Sequence, residues 1–177
     1  MANEFTIRLD DTAILARLSE IAKRVDDMTP AMRGIGEVLV ESTKQRFETS
    51  TGPDGQAWKP NALATILGRL AQIGGAYSAK TGRMTKKGAA AFTGKKPLIA
   101  TGVLQDTIRY QIVAGGHGVE IGTNRFASEW EGGAAVHQFG SKTGKIPARP
   151  FLGISDGDRV EVLDILDKFL QQAIAGA

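Results

Sequence analysis

A chain of 177 residues can form one domain with a sizeable core. It contains no cysteine, which excludes disulfides, Cys-ligated zinc and thiol catalysis. No run of about 18 apolar residues is present, and MANEFTIRLDD lacks the features of a signal peptide, so we expect no membrane contact and a protein that is made and used in the cytoplasm, or assembled there into something larger. The net charge of +3 is unevenly spread: residues 55–100 contain eight Lys or Arg and no acid, whereas residues 156–177 contain five acids and two bases.

The N-terminal third predicts one short strand and two helices. Residues 4–9 alternate polar and apolar side chains, as in a half-buried strand, and apolar residues at i, i+3, i+4 spacing predict an amphipathic helix over 12–26. Thr29-Pro30 is typical of an N-cap followed by a first helical residue, so a second helix is expected over about 30–48.

Residues 51–60, TGPDGQAWKP, combine turn-forming residues with a large aromatic side chain. Trp58 either closes one end of the core or anchors a neighbouring subunit, and both readings stay open. Asn61 is then a candidate N-cap for a third helix, which Gly74-Gly75 would end.

Residues 74–97 have neither helical nor strand periodicity and are rich in lysine and small residues. Such a stretch cannot bury enough apolar surface to order itself, so we expect a mobile basic arm that orders only in an assembly. Four of its lysines are candidates for contact with a neighbouring subunit: Lys86, Lys87, Lys95 and Lys96.

The second half predicts a hairpin between helical segments. Residues 98–108 indicate a short helical turn, and the alternation across 109–123 predicts a β-hairpin with the solvated His117 at its glycine-rich turn. Residues 124–140 predict two short helical pieces broken at Gly132-Gly133.

The chain ends in a broad apolar stripe that predicts a helix over about 156–174. Ser155, with Asp158 three residues later, is expected to form a capping box. A single domain over 1–177 follows, with an α+β fold in which a small antiparallel sheet packs with about four helices and a long flexible central loop.

Residues 136–153, VHQFGSKTGKIPARPFLG, contain the stiffest backbone of the chain. Pro147 and Pro150 each fix their own φ and push the preceding residue into extended conformation, so this segment suits a sheet edge or a segment packed across another surface. Alternation places Arg149 and Phe151 on one side, where both are candidates for a subunit boundary. Arg149 would hold a carboxylate of its own chain or of a neighbouring subunit.

The remaining residues of this signature are expected to be structural: His137, Gln138, Phe139, Gly140, Ile146, Pro147 and Pro150. His137 could serve as a general base, but the sequence supplies no catalytic partner or known catalytic motif. His137 and Gln138 are therefore expected to hydrogen-bond within the fold, and Phe139 to pack. We expect no enzyme activity, cofactor or metal.

Five motifs in order resemble the phage virion morphogenesis family, the tail completion proteins of Mu-like and P2-like tailed phages. They are P-x-G-x-x-W at 53–58, T-G-x-L at 101–104, I-G-T-N at 121–124, H-Q-F-G at 137–140 and I-P-A-R-P-F-L at 146–152. This chain departs from the family's pattern at one point. In the family a tyrosine-alanine pair runs closely into the His-Gln pair, whereas here Phe126-Ala127 is separated from His137 by an insertion, SEWEGGAAV.

The resemblance implies a non-enzymatic virion protein that forms a homo-oligomeric ring, a hexamer, at the head-proximal end of the tail. Its partners would be tail tube and head–tail connector proteins, with nucleic acid present only as the passing genome. Two other hypotheses remain: a nucleic-acid-binding protein that uses the basic 55–100 segment, and a hydrolase centred on His137.

Overall fold

The computed structural model describes residues 12–125 and 133–176. The strand expected at 4–9 and the helical piece expected before Gly132 lie outside the described residues. Within those two ranges the chain forms seven helices and one two-stranded antiparallel sheet, an α+β fold as predicted. The elements in chain order are α1 (Thr12–Asp26), α2 (Thr29–Thr49), α3 (Leu63–Gln72), α4 (Lys86–Thr93), α5 (Val103–Asp106), β1 (Arg109–Ile112), β2 (Val119–Gly122), α6 (Gly133–Phe139) and α7 (Asp156–Ala175).

Helix α2 is the centre of the fold, and α7 and the hairpin both pack against it. Met32, Ile35 and Leu39 form its first buried cluster, which also includes the inward side chains of α7 and Ile112 of β1. The spacing of these three residues places them on one face of α2, which is the face that the structure buries.

A second cluster lies at the C-terminal end of α2 and consists of Phe47, Trp58, Ile108 and Phe151. The Phe47 ring meets the Trp58 ring edge to face at 5.4 Å between centroids and the Phe151 ring at 5.5 Å. Aromatic pairs in this range stabilise beyond their buried area. The cluster joins four segments that are far apart in sequence.

Most of the local predictions are confirmed. The hairpin pairs Tyr110 with Ile121 and Ile112 with Val119, the expected alternation. Helix α7 begins after Ser155 with both hydrogen bonds of the capping box, which Ser155 and Asp158 exchange. His117 is exposed at the hairpin turn.

The third helix begins later than predicted. Its N-cap is Ala62, because the Asn61 side chain donates instead to the Lys95 carbonyl at 3.2 Å. Within the range that the structure describes, no helix is both long and apolar enough to cross a bilayer.

The expectation that residues 74–97 lack regular structure is wrong, since helix α4 lies within them. The Thr85 side chain accepts a hydrogen bond from the Gly88 N–H, and Tyr77 and Met84 form a β-bridge just before the helix. Local capping thus orders a stretch without an apolar stripe. Residues 59–97, hereafter the basic lobe, pack α3 against α4; the mobility of this lobe stays a prediction.

Candidate functional site

The proline segment (residues 146–153) lies in the interior, with Arg149 5% and Phe151 1% exposed. Side chains from three other parts of the chain hold its backbone. This burial fits a segment packed across another surface rather than a sheet edge. In the isolated subunit Arg149 and Phe151 are covered by their own chain, and their contact with a neighbouring subunit stays a prediction.

Gln138 of α6 holds the segment by imitating a peptide unit. Its Oε1 accepts hydrogen bonds from the N–H groups of Phe151 and Leu152, each at 3.0 Å, and its Nε2 donates to the Leu152 carbonyl at 2.8 Å. The His137 carbonyl accepts a further bond from the Arg149 N–H at 2.7 Å. Backbone groups that prolines leave without a strand partner are satisfied in this way. The prediction for Gln138 is confirmed.

Trp58 reaches the segment from the loop after α2. Its indole N–H donates to the Pro150 carbonyl at 2.8 Å, while the ring is only 7% exposed within the aromatic cluster. A buried tryptophan normally finds a partner for its N–H. Of the two readings of Trp58, the structure supports the one in which it closes the core.

Arg149 binds carbonyls rather than a carboxylate. Its Nε donates to the Lys59 carbonyl at 2.7 Å and its Nη2 to the Pro60 carbonyl at 2.9 Å. No acid of the described residues forms an ion pair with it. Among the described residues, the expectation of a carboxylate of its own chain is wrong, because the fixed fork of donors ties the start of the basic lobe to the proline segment. A carboxylate of a neighbouring subunit stays a prediction.

Arg46 of α2 provides the third hold, which the sequence reasoning missed. Its Nη1 donates to the carbonyls of Phe151 at 3.0 Å and Gly153 at 2.8 Å. Its Nη2 forms a buried ion pair with Asp158 at the start of α7. One signal could have found it: Arg46 follows Ile35, Leu39 and Ser42 at helical spacing, so a charge stands within the inward stripe of α2.

Asp158 is held in its charged form by its neighbours. Burial alone would raise the pKa of its carboxyl, but hydrogen bonds from Ser42 and Ser155 and the positive charge of Arg46 outweigh it and lower that pKa. Its carboxylate also accepts the Ser155 N–H at 2.7 Å. One carboxylate therefore caps α7 and neutralises the cation that holds the proline segment.

His137 has the opposite environment. Its Nδ1 is buried and has no hydrogen-bond partner in the described ranges. Burial and then the nearby positive charge of Arg149 lower the pKa of its imidazole, which favours the neutral form. Its hydrogen bond within the fold comes from its backbone carbonyl, so the prediction fails for the Nδ1 atom.

Phe139 and Gly140 complete the HQFG motif in different ways. Phe139 is 79% exposed, so the prediction that it packs is wrong for this chain taken alone. Gly140 has φ 84°, and a Cβ there would lie 3.0 Å from the Ala148 nitrogen. Only glycine combines this left-handed conformation with such a close approach to the proline segment.

This arrangement positions the backbone of the proline segment. Its polar side chains are used in holding the proline segment, apart from the neutral His137. No group of three or more potential metal ligands occurs among the residues that are described. The contacts described above form a structural lock between α2, α6 and α7.

The lysines proposed for subunit contact differ in position. Lys86, Lys87 and Lys96 are exposed, and Lys95 is half-buried. Lys87 donates to the Gly74 carbonyl at 2.8 Å, and Lys96 donates to the Glu48 carbonyl at 2.7 Å. Their contact with a second subunit stays a prediction.

The five motifs that carried the resemblance converge on the aromatic cluster. Trp58 and Phe151 are buried in it, Leu104 and Ile121 pack against it, and Gln138 holds the backbone of Phe151. These motifs are therefore the parts of one lock that closes the fold.

Comparison with known proteins bears on the family resemblance that these motifs suggested. Searches of curated proteins and of solved structures found no match. The sequence profile of the phage virion morphogenesis family matches residues 9–171 of the chain, nearly its whole length. On the strength of this match, and with its signature motifs assembled into one structural lock, the chain belongs to the phage virion morphogenesis family.

Proposed function

We propose that this protein is a tail completion protein: a non-enzymatic structural subunit that forms a closed ring, a hexamer, at the head-proximal end of the phage tail and joins tail to head. Its family membership gives the coarser role, in phage virion assembly. The ring, its place in the virion and its partners, which would be tail tube and head–tail connector proteins, are the proposal.

One observation carries the proposal: the subunit leaves more large apolar side chains exposed than it buries. Within the described residues fifteen large hydrophobic side chains are exposed, whereas eleven hydrophobic residues are buried and three of those are alanines. Exposed apolar surface on this scale marks sites of contact with other proteins.

Loss of the gene tests the function. In a phage that encodes this protein, a null mutation should leave filled heads and tails unjoined, and the wild-type gene supplied in trans should restore infective particles. A cryo-EM map of restored virions should show the protein as a ring between head and tail. Infective virions that lack the protein would contradict the proposal.

A nucleic-acid-binding role is the second candidate, because the basic lobe contains eight Lys or Arg and no acid. Contact with phosphates would weaken steeply as salt is raised, so a salt titration of duplex DNA binding separates the two roles. Binding that is weak and insensitive to salt would remove this candidate.

A further inference from the structure

We propose that the basic lobe of one copy docks on the outward face of α7 of the next copy. The inference rests on the proposed ring and names the two surfaces that would meet in it. It pairs two different patches, which is what a head-to-tail contact in a closed ring requires.

The basic lobe carries charge that its own chain leaves uncompensated. Of its eight basic residues, only Lys96 forms an ion pair with an acid in the described part of the chain. That pair is exposed, and the Lys96 Nζ lies 3.4 Å from the Glu48 Oε2. Since the whole chain has 22 basic and 19 acidic residues, the part outside 55–100 has 14 basic and 19 acidic residues, a net charge of −5. A second copy therefore offers surface of the opposite charge.

The lobe also exposes apolar side chains among its bases. Leu63 and Leu67, four residues apart on α3, are 59% and 43% exposed, and Tyr77 and Met84 of the β-bridge are 41% and 40% exposed. Residues four apart share one face of a helix. Aliphatic leucines gain nothing from a phosphate backbone, so this mixture favours a protein occupant over nucleic acid.

The outward face of α7 has the complementary composition. Val160, Leu163, Asp167, Leu170 and Ile174 recur at alternating spacings of three and four, the seam by which one helix contacts another. The four apolar members are 67%, 62%, 42% and 52% exposed in that order. The opposite side of α7, with Val162, Ile165 and Leu166, packs against α2, so the seam points away from the subunit.

Carboxylates flank and interrupt this seam. Asp167 lies within it, and Asp164 is beside it in an exposed pair with Lys168 at 2.6 Å. Two copies of α7 facing each other would bring these carboxylates together, which is unfavourable. The basic lobe instead brings leucines to the apolar members and lysines to the acids.

Charge reversal tests the contact. The lobe variant is Lys80→Glu with Lys86→Glu, both at exposed positions, and the face variant is Asp164→Lys with Asp167→Lys. Each variant alone should self-associate at least roughly tenfold more weakly than wild type in analytical ultracentrifugation. An equimolar mixture should recover wild-type association, because both contacts of an alternating ring are then complementary. The matched control, Lys142→Glu with Lys145→Glu, makes the same charge change at exposed positions outside both patches and should associate as wild type.

A crosslinking measurement covers the case in which the ring forms only on the tail. The natural chain contains no cysteine, so introduced thiols react without background. Virions assembled from Leu67→Cys and Leu163→Cys chains together should give crosslinked dimers with a short bismaleimide. Lys142→Cys with Leu163→Cys should not.

Several outcomes would overturn the proposal. They are variants that associate as wild type, a mixture that fails to recover, absence of the Leu67–Leu163 crosslink in virions, or a lobe variant that loses only duplex DNA binding. If wild type forms a ring in the virion and the reversals change nothing, this contact alone is wrong. If wild type neither forms a ring nor enters virions, the proposed function is wrong as well.

Discussion

At the scale of single residues, Arg46 has the widest influence on the fold. From the interior of α2 it binds two carbonyls of the proline segment and the carboxylate that begins α7. A buried cation with this many acceptors is stable only while they remain in place. Its partner Asp158 is therefore the point at which the lock is easiest to break.

Replacing Asp158 by Asn should destabilise the protein by about 3–5 kcal/mol, because it leaves Arg46 buried without its counter-charge. The matched control is Asp164→Asn, which removes an exposed i,i+4 pair on the same helix and should change stability by less than about 1 kcal/mol. Urea unfolding followed by circular dichroism measures both. Equal effects would show that the buried pair contributes no more than a surface pair.

His137 should make stability depend on pH. Its pKa in the folded protein lies below the ordinary 6.5, owing to burial and to Arg149. The unfolded chain therefore takes up a proton first as the pH falls, so the stability that is present above 6.5 is progressively lost as the pH falls toward the folded pKa. Compared with His137→Gln, wild type should lose more stability on acidification, as urea unfolding at a series of pH values would show. Parallel pH curves would contradict this.

At the scale of elements, the local signals were sufficient to predict most helices and the hairpin. The Ser155 capping box and the alternation across β1 and β2 each depend on neighbours within a few residues. Thr29-Pro30 marked the start of α2, but the predicted cap is wrong by one residue, since Met28 is the N-cap and Thr29 is the first residue of the helix. Helix α4 was missed because its sequence, KKGAAAFT, has no apolar stripe, although the preceding Thr85 caps it. Helix periodicity finds faces that are buried in a core, and α4 buries only Gly88.

Gly34 and Gly36 both lie in α2, but the space around them differs. A Cβ at Gly36 would lie 2.5 Å from ring carbons of Tyr110 on β1, whereas a Cβ at Gly34 would lie 3.6 Å from Ile165 of α7. The first is the close approach of a helix to a strand, and the second is ordinary van der Waals contact. Gly36 thus sets the distance between α2 and the hairpin.

Alanine at these positions should therefore act in opposite directions. Gly36→Ala should destabilise by about 1–3 kcal/mol because the Tyr110 ring must shift, whereas Gly34→Ala should stabilise by up to about 1 kcal/mol because alanine is the better helix former. Thermal unfolding of the two variants side by side tests both signs. Stabilisation by both would mean that the ring moves freely.

At the scale of the whole molecule, the basic lobe is attached to the rest of the subunit at its base. Arg149 holds the carbonyls of Lys59 and Pro60, and Lys96 holds the carbonyl of Glu48. Beyond that base the lobe buries Leu70, Ala76 and Gly88. So small a core opens more readily than the helix at the centre of the fold.

Hydrogen exchange followed by mass spectrometry should show this difference. Amides of α3 and α4 should exchange well before those of α2 in the isolated subunit, and they should slow in the assembled ring, where docking adds contacts. Exchange of α4 as slow as that of α2 in the isolated subunit would contradict the mobile arm that the sequence predicts.

The long-range lock could not be predicted from the sequence. The stiffness of the proline segment and the donor fork of Arg149 were readable from the residues. Its acceptors were not, because they are backbone carbonyls of Lys59 and Pro60, which no side-chain pattern marks. Gln138 and Arg46 likewise find partners more than ten residues away, and such contacts depend on the fold as a whole.

The loop between the HQFG motif and the proline segment has a practical consequence. The Ser141 N–H donates to the Ile146 carbonyl at 2.9 Å, and the Ile146 N–H donates to the Ser141 Oγ at 2.9 Å, while residues 142–145 are exposed. Because the two ends are tied to each other and lengthening a surface loop adds only slowly to its closure entropy, extra residues inserted there leave the lock undisturbed. An epitope or a fluorescent peptide grafted between Lys142 and Lys145 would give each copy of the subunit a visible marker inside an intact particle.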